Sequence, residues 1–301
     1  MTKPLPPFTC TYSPNIPELL NQLNCSLAIS TYQAGKVVLL SPKDDSSLVQ
    51  LPRNFSKPMG MALDKDNLAI ATKDEVLVLK NATKMAPNYP KQPNTYDALF
   101  LPRATYYTGA IDIHDLEWID NKLWAINTLF SCLVTLDQNH SFTPVWKPNF
   151  IKEYAPQDYC HLNGLAMDSG NPKYVSALGK TNTAEGWREN KAKGGIIIDI
   201  ESNEIIAQGL AMPHSPRLIN GKLYVLLSAT GELATVDINT GKHEIIKGLN
   251  GFVRGMSYYN DYLFIGLSKL RQNSSAFNDL PLSKKSIFSG IAIMHEPTAS
   301  L

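Results

Sequence analysis

Several things are scarce in this sequence, and each scarcity removes a class of reading. No stretch approaches the roughly 20 apolar residues that a membrane helix needs, so none is expected. The N-terminus, MTKPLPPFTCTYSPNIPELL, has no apolar run behind its basic start and does not read as a secretory signal. The four cysteines (Cys10, Cys25, Cys132, Cys160) show no CxxC spacing. Without export they are expected to be reduced thiols, and the chain reads as cytoplasmic. A formal charge of only +1 gives no bulk attraction to nucleic acid or to an anionic membrane. Helical periodicity is nearly absent outside PELLNQLN, from Pro17 to Asn24. The sequence has no GxSxG elbow, no glycine-rich phosphate loop and no HxH or HxxxH pair, which counts against serine hydrolases, nucleotide enzymes and local zinc motifs.

What is present is a repeat. A short apolar strand, a tight break and a second apolar strand, often ending in Asp, recur six times in the 301 residues. The clearest copies are LWAINTLFSCLVTLD (Leu123 to Asp137) and LYVLLSATGELATVD (Leu223 to Asp237). LAISTYQAGKVVLL and LAIATKDEVLVLK come earlier, and two copies carry insertions at the break (YVSALG to GGIIIDI, and LFIGLS to SGIAI). Five copies are preceded by a further strand: MGMALD, HDLEWID, LNGLAMD, HSPRLIN and RGMSYYN. The turns that follow, such as Asp120–Lys122 and Asn220–Lys222, hold residues that tolerate the positive φ of two-residue hairpins. DINTGKHEIIKG then supplies a fourth strand. Radially repeated four-stranded antiparallel units are propeller blades. The expectation is a single all-β domain, a six-bladed β-propeller over residues 1–301 with one short N-terminal helix. A seventh blade would need a repeat that is not visible. The first copy lacks an innermost strand and the last an outermost one. Residues 1–25, through FTCTY (Phe8 to Tyr12), are expected to close the ring against the last blade.

The repeat also predicts a site. Counting back from the hairpin between first and second strands aligns His114 with His214, Arg254 and Met59, and with Asn163 after allowing for the insertion at Asn171–Pro172. Innermost strands line a propeller axis, so these residues should form a polar ring at one level. Residues two apart share a strand face, which adds Asp112 beside His114 and His161 beside Asn163. The long insertions (81–111, 148–160, 180–193 and 269–287) fall in connections that emerge on this same face, where loops on a rigid scaffold build sites. One carries Arg103, Tyr106 and Tyr107, another Trp187 and Arg188, and Arg217 follows His214. Arginines and tyrosines there suit a carboxylate or phosphate.

Three chemistries fit such a ring. His114, His161 and His214 could ligate a divalent metal (Zn, Fe or Mn), against a water-filled channel with merely hydrogen-bonded histidines. Without metal, His114 and His214 could act as acid and base beside arginine-bound substrate, with His161 and Asp112 in support. Asn163 would orient a substrate oxygen, and Arg103, Arg217 and Arg254 would hold the anion. The alternative is a non-catalytic propeller that binds a peptide or partner on this face. Adjacent Cys160 and His161 point to opposite strand faces and do not suit a Cys–His nucleophile. Ser228, Thr230 and Glu232 are explained by a tight turn, and Trp118, Trp124 and Trp146 by the core.

TYQAGK (Thr31 to Lys36), LPRATYYTG with IDIHDL (Leu101 to Leu116), CHLNGLAM (Cys160 to Met167), GLAMPHSPR (Gly209 to Arg217), SATGEL (Ser228 to Leu233) and GFVRGMSY (Gly251 to Tyr258) together resemble a bacterial family of conserved propeller proteins defined as a domain of unknown function. SATGEL departs from the Ser-Gly-Thr-Gly that the family more often shows. The resemblance spans nearly the whole chain, implies the propeller fold and no activity. It marks Gln33, Arg103, Asp112, His114, His161, Asn163, His214, Arg217 and Arg254.

Overall fold

The computed structural model describes residues 10–269, Leu280, Leu282 and 289–301. Its strands form six small antiparallel sheets, and the fold is a six-bladed β-propeller. In chain order the sheets are β1 (Leu27–Thr31), β2 (Lys36–Asp44) and β3 (Ser47–Asn54); β4 (Met61–Asp64), β5 (Asn67–Ala71), β6 (Glu75–Asn81) and β7 (Phe100–Tyr107); and β8 (Ile113–Ile119), β9 (Lys122–Asn127), β10 (Cys132–Leu136) and β11 (Thr143–Trp146). Then come β12 (Leu162–Asp168), β13 (Asn171–Ala177), β14 (Gly195–Asp199) and β15 (Ile205–Leu210); β16 (Pro213–Ile219), β17 (Lys222–Leu227), β18 (Glu232–Val236) and β19 (His243–Gly248); and β20 (Phe252–Tyr259), β21 (Tyr262–Ser268) and β22 (Gly290–His295). As the repeat implies, the first and last sheets have three strands among the described residues.

Two compact units divide the chain, Met1–Met59 and Gly60–Leu301. The smaller holds β1–β3 and helix α1 (Ile16–Gln22). That helix opens on Pro17, whose fixed φ suits a first turn, and buries Leu20 completely. Of the expected closing segment, Phe8 and Thr9 lie outside the described residues, and Cys10–Tyr12 form no strand.

In the larger unit the innermost strands stand side by side, β4 by β8, β8 by β12, β12 by β16 and β16 by β20. Each interval between sheets is filled by an apolar layer drawn from both neighbours. Val78 and Ala69 meet Leu116 and Val134, and Ile126 and Leu133 meet Leu165 and Val175. Ile197 and Ala166 meet Val225 and Ala234, and Leu226 and Leu233 meet Val253 and Ile265. Trp118, Trp124 and Trp146 pack on these layers, as expected. Strand periodicity produces this core because alternate residues of each middle strand face opposite neighbouring sheets.

The turn chemistry read from the sequence has a visible cause. Asp120–Asn121, Asn220–Gly221 and Asn260–Asp261 all have positive φ, as a type I′ hairpin demands. The recurrent Asp closing the third strand folds the next turn. Oδ1 of Asp137 accepts from the Asn139 and His140 amides, and Oδ1 of Asp237 from those of Asn239 and Thr240.

Expectations about the stretch 81–111 change here. The stretch 81–111 contains β7, the outermost strand of its sheet. Arg103 and Tyr107 therefore lie exposed on a blade edge, and Tyr106 packs against the apolar layer. Pro102 within LPRATYY disguises the strand, yet a proline is tolerated on an edge. The insertion at 269–287 lies almost wholly outside the described residues. Among the described residues no helix is long and apolar enough to cross a membrane.

Candidate functional site

Each innermost strand of β8, β12, β16 and β20 breaks its register near its start, between Ile113 and Leu116, Leu162 and Gly164, His214 and Arg217, and Val253 and Met256. A bulge re-aims the side chains beside it. The residues at these breaks are His114, Asn163, His214 and Arg254, the four polar members of the expected ring. The strands approach closely here: a Cβ on Gly164 would lie 2.9 Å from the Ser215 amide.

His114 and His214 are held by the same device. His114 Nδ1 is 3.0 Å from the Asp112 carbonyl and 2.8 Å from Thr128 Oγ1, and that hydroxyl gives its proton to the Leu162 carbonyl at 2.6 Å. His214 Nδ1 is 2.9 Å from the Met212 carbonyl and 2.8 Å from Ser228 Oγ, whose proton goes to the Val253 carbonyl at 2.5 Å. In both cases the hydroxyl proton is committed elsewhere and a carbonyl can only accept. Nδ1 must therefore carry a hydrogen, and in the neutral ring the lone pair is on Nε2. Asp112 and Met212 reach this geometry at φ 57° and 54°, a left-handed conformation that costs about 1 kcal/mol or more and clusters at functional sites. His214 is 4% exposed, and its Nε2 is buried with no hydrogen-bond partner.

His161 is held differently. Its Nδ1 lies 2.8 Å from Asp158 Oδ2, which also accepts the Trp187 indole N–H at 3.0 Å. The His161 ring meets His114 edge-on at 4.8 Å between centroids and lies 4.4 Å from the Trp187 ring, over which the Arg188 guanidinium sits at 4.5 Å. On the other side, His214 faces Phe252 at 6.4 Å, and Arg254 covers that ring at 4.7 Å. Burial pushes the Asp158 carboxyl up to about 7. Burial also pulls His161 and His214 well below the ordinary imidazole range, helped by His114 and Arg254 respectively. Both imidazoles are neutral at neutral pH, the form that accepts a proton.

The expected residues separate into three groups. His114, His161, His214 and Arg254 come together, through ring contacts and through the charge of Arg254 on both His161 and His214. Asn163 and Arg217 support the scaffold rather than face a ligand, whereas the Asp112 side chain is 45% exposed. Asp112 acts through its carbonyl, and its carboxylate stands 3.9 Å from His114 Nδ1. The Asn163 amide donates to the His161 carbonyl at 3.2 Å and accepts from Ser176 at 2.8 Å. Arg217 forks onto Asp115 at 3.0 and 3.3 Å and donates to the Leu165 and Pro216 carbonyls at 2.8 Å, which leaves it spoken for instead of available to an anion. Arg103, Tyr106 and Tyr107 stand on the outer strand, and Gln33 is exposed in the β1–β2 turn of the smaller unit.

Sequence reasoning missed Asp158, Thr128 and Ser228. Asp158 sits in a loop with no periodic signal. The hydroxyls were legible: each lies 14 residues after its histidine, so Ser228 is an orienting group as well as a turn residue. The Cys160 thiol is buried in the core and pushed up to about 12 by burial, which makes it inert as a nucleophile. The expected metal trio does not fit. Among the described residues no group of three or more His, Cys, Asp and Glu side chains could hold an ion.

The fold and this cluster define a β-propeller whose inner strands carry oriented histidines. The chain belongs to the DUF4915 family, a domain of unknown function, whose model matches residues 14–301. A comparison with curated proteins finds no match. Among solved structures, a streptogramin B lyase aligns with a TM-score of 0.48 at 13% identity, covering 80% of this chain and 72% of that one. A virginiamycin B lyase from Staphylococcus aureus gives 0.48 at 12%, covering 81% and 74%. A putative oxidoreductase (glucose dehydrogenase) from Thermus thermophilus gives 0.52 at 13%, covering 90% and 94%. This last likeness is one of fold.

Proposed function

We propose that this chain is an enzyme that moves a proton on a small anionic or peptide substrate at the mouth of the propeller channel, in a lyase, isomerase or hydrolase reaction. The observation that carries the reading is the Asp158–His161 pair. Trp187 fixes the carboxylate oxygen that holds His161 Nδ1, and the His161 side chain keeps 12% of its surface open. A buried carboxylate beside a neutral imidazole is an uncompensated anion. One proton taken up at Nε2 turns the pair into a neutral ion pair and relieves that cost. The pair takes up its proton as a unit, and burial that pushes the Asp158 carboxyl up to about 7 is the cost that this proton relieves.

His214, with its orphaned Nε2, is the second proton-handling group and accepts a hydrogen bond from the substrate. His114 orients His161 through the edge contact, and Arg254 binds the anionic end. Proton transfer without a metal is the version proposed, since no three His, Cys, Asp or Glu side chains among the described residues are grouped to hold an ion. A purely peptide-binding propeller would have no use for a buried, oriented and unpartnered acceptor.

The test is carbon-bound proton exchange. The protein is incubated in D2O with a panel of small carboxylates and phosphates, and deuterium incorporation is scored by mass spectrometry. Wild type is expected to label one class of compound, and His161→Gln to label it about 10²–10⁴-fold more slowly. Equal labelling by both proteins would overturn the proposal, and no labelling of any compound would overturn its lyase and isomerase forms.

A further inference from the structure

We infer that a second binding site, for a small anion, lies against Trp187 in the loop between β13 and β14. A cavity of about 260 Å³ opens there, bounded by Lys180, Thr181, Trp187, Asn190, Lys193 and Gln208 with glycine backbone between them. Its lining contains two lysines and no acidic residue, in a chain whose net charge is only +1. The loop's carboxylates do not cancel this charge. Glu185 is paired with Arg188 at 2.8 Å, and Glu189 is not part of the lining. The Thr181 hydroxyl is taken up by the Tyr159 carbonyl, which leaves Lys180, Lys193, Asn190 and Gln208 as the hydrogen-bond donors among the lining side chains.

The cavity is built into the loop. A Cβ on Gly194 would stand 2.6 Å from the Asn190 carbonyl, and one on Gly186 would meet Thr183 and Thr181. The turn therefore closes only around glycine. The volume falls just below the usual range of metabolite pockets and suits a ligand of few heavy atoms bearing phosphate or several carboxylates. Lysines and amide donors recognise either as a cluster of oxygen acceptors.

Trp187 forms a wall of this cavity and also holds the histidine cluster. Its indole N–H fixes Asp158, and its ring lies 4.4 Å from His161. An anion that shifts Trp187 changes the hydrogen bond orienting the Asp158–His161 pair. The second site would thereby set the proton affinity of the first. Its existence does not depend on the histidines being catalytic.

The experiment titrates the full chain with inorganic phosphate and, separately, with citrate. Tryptophan fluorescence and calorimetry follow binding, and Trp187→Phe identifies the reporting indole. At least one ion is expected to bind saturably, and the stronger one names the ligand chemistry. The double charge reversal Lys180→Glu/Lys193→Glu, at two exposed positions where folding is little affected, is expected to weaken binding at least about tenfold. His161→Gln is expected to leave affinity within about twofold, because its side chain does not line the cavity. Saturable binding of neither ion would overturn the inference. So would binding that survives the charge reversal, or binding lost in His161→Gln and kept in the lysine variant, which would put the anion at the histidines. Deuterium labelling reads the histidine site independently, so the two proposals fail separately.

Discussion

His214 and Arg217 lie three residues apart on β16, and both are largely buried, but the protein treats them differently. Arg217 meets Asp115 from another blade with a two-pronged ion pair and adds two carbonyls. His214 has one nitrogen fixed by a carbonyl and a hydroxyl, and the other buried and unmatched. A buried polar group costs stability unless it is satisfied. The satisfied one serves the fold, here by tying β8, β12 and β16 together. The half-satisfied one is oriented at some cost, and its open nitrogen is where chemistry can enter.

This contrast predicts a graded series of stability effects. The largest should come from Arg217→Met, which leaves the Asp115 carboxylate buried and unpaired. A loss of about 3–5 kcal/mol is expected, read from the urea midpoint, and most of it should return in the double variant with Asp115→Leu. If Arg217→Met were neutral, the ion pair would not be structural and Arg217 would again be open to a ligand role.

Glu117 should show the next effect. Burial pushes its carboxyl up to about 7 against the pull of Arg217, from an ordinary 4.5. Between those values the folded state binds the extra proton, so stability falls as pH rises through the window and is lowest above 7. Glu117→Gln should then gain about 1–2 kcal/mol at pH 8 and match wild type at pH 4. A constant difference across this range would contradict the assignment.

Smaller still is Ser228→Ala, which removes the hydroxyl between His214 and the Val253 carbonyl. About 1 kcal/mol is expected, with Thr128→Val similar because it breaks the twin bridge. The smallest change belongs to His214→Asn, within about 1 kcal/mol of wild type in thermal unfolding despite near-complete burial. A loss as large as that of Arg217→Met would make His214 a structural residue and end the comparison.

The sequence revealed most where the repeat imposes a register. Hairpin residues, the Asp at third-strand ends and the polar level of His114, Asn163, His214 and Arg254 all follow from aligning blades, since equivalent positions must occupy equivalent places. The error at Arg103, Tyr106 and Tyr107 arose where the fourth strand is least constrained: an outer edge needs neither strict alternation nor every amide, so Pro102 hid it. Arg217 was misread because residue type shows that a charge is present but not that Asp115, 102 residues away, has already neutralised it. Asp158 was invisible because a loop residue at φ 47° has no periodic neighbour to align with.

The central claim is that the clustered His161 and His214 imidazoles present an unprotonated Nε2. Long-range proton–nitrogen correlation spectra of the histidine side chains at pH 8 test it most directly. The account predicts protonated Nδ1 and lone-pair Nε2 for His161 and His214, with His161 changing its titration in Asp158→Asn. Protonated Nε2 on His161 or His214 at that pH would leave no base at the site and contradict the proposed chemistry.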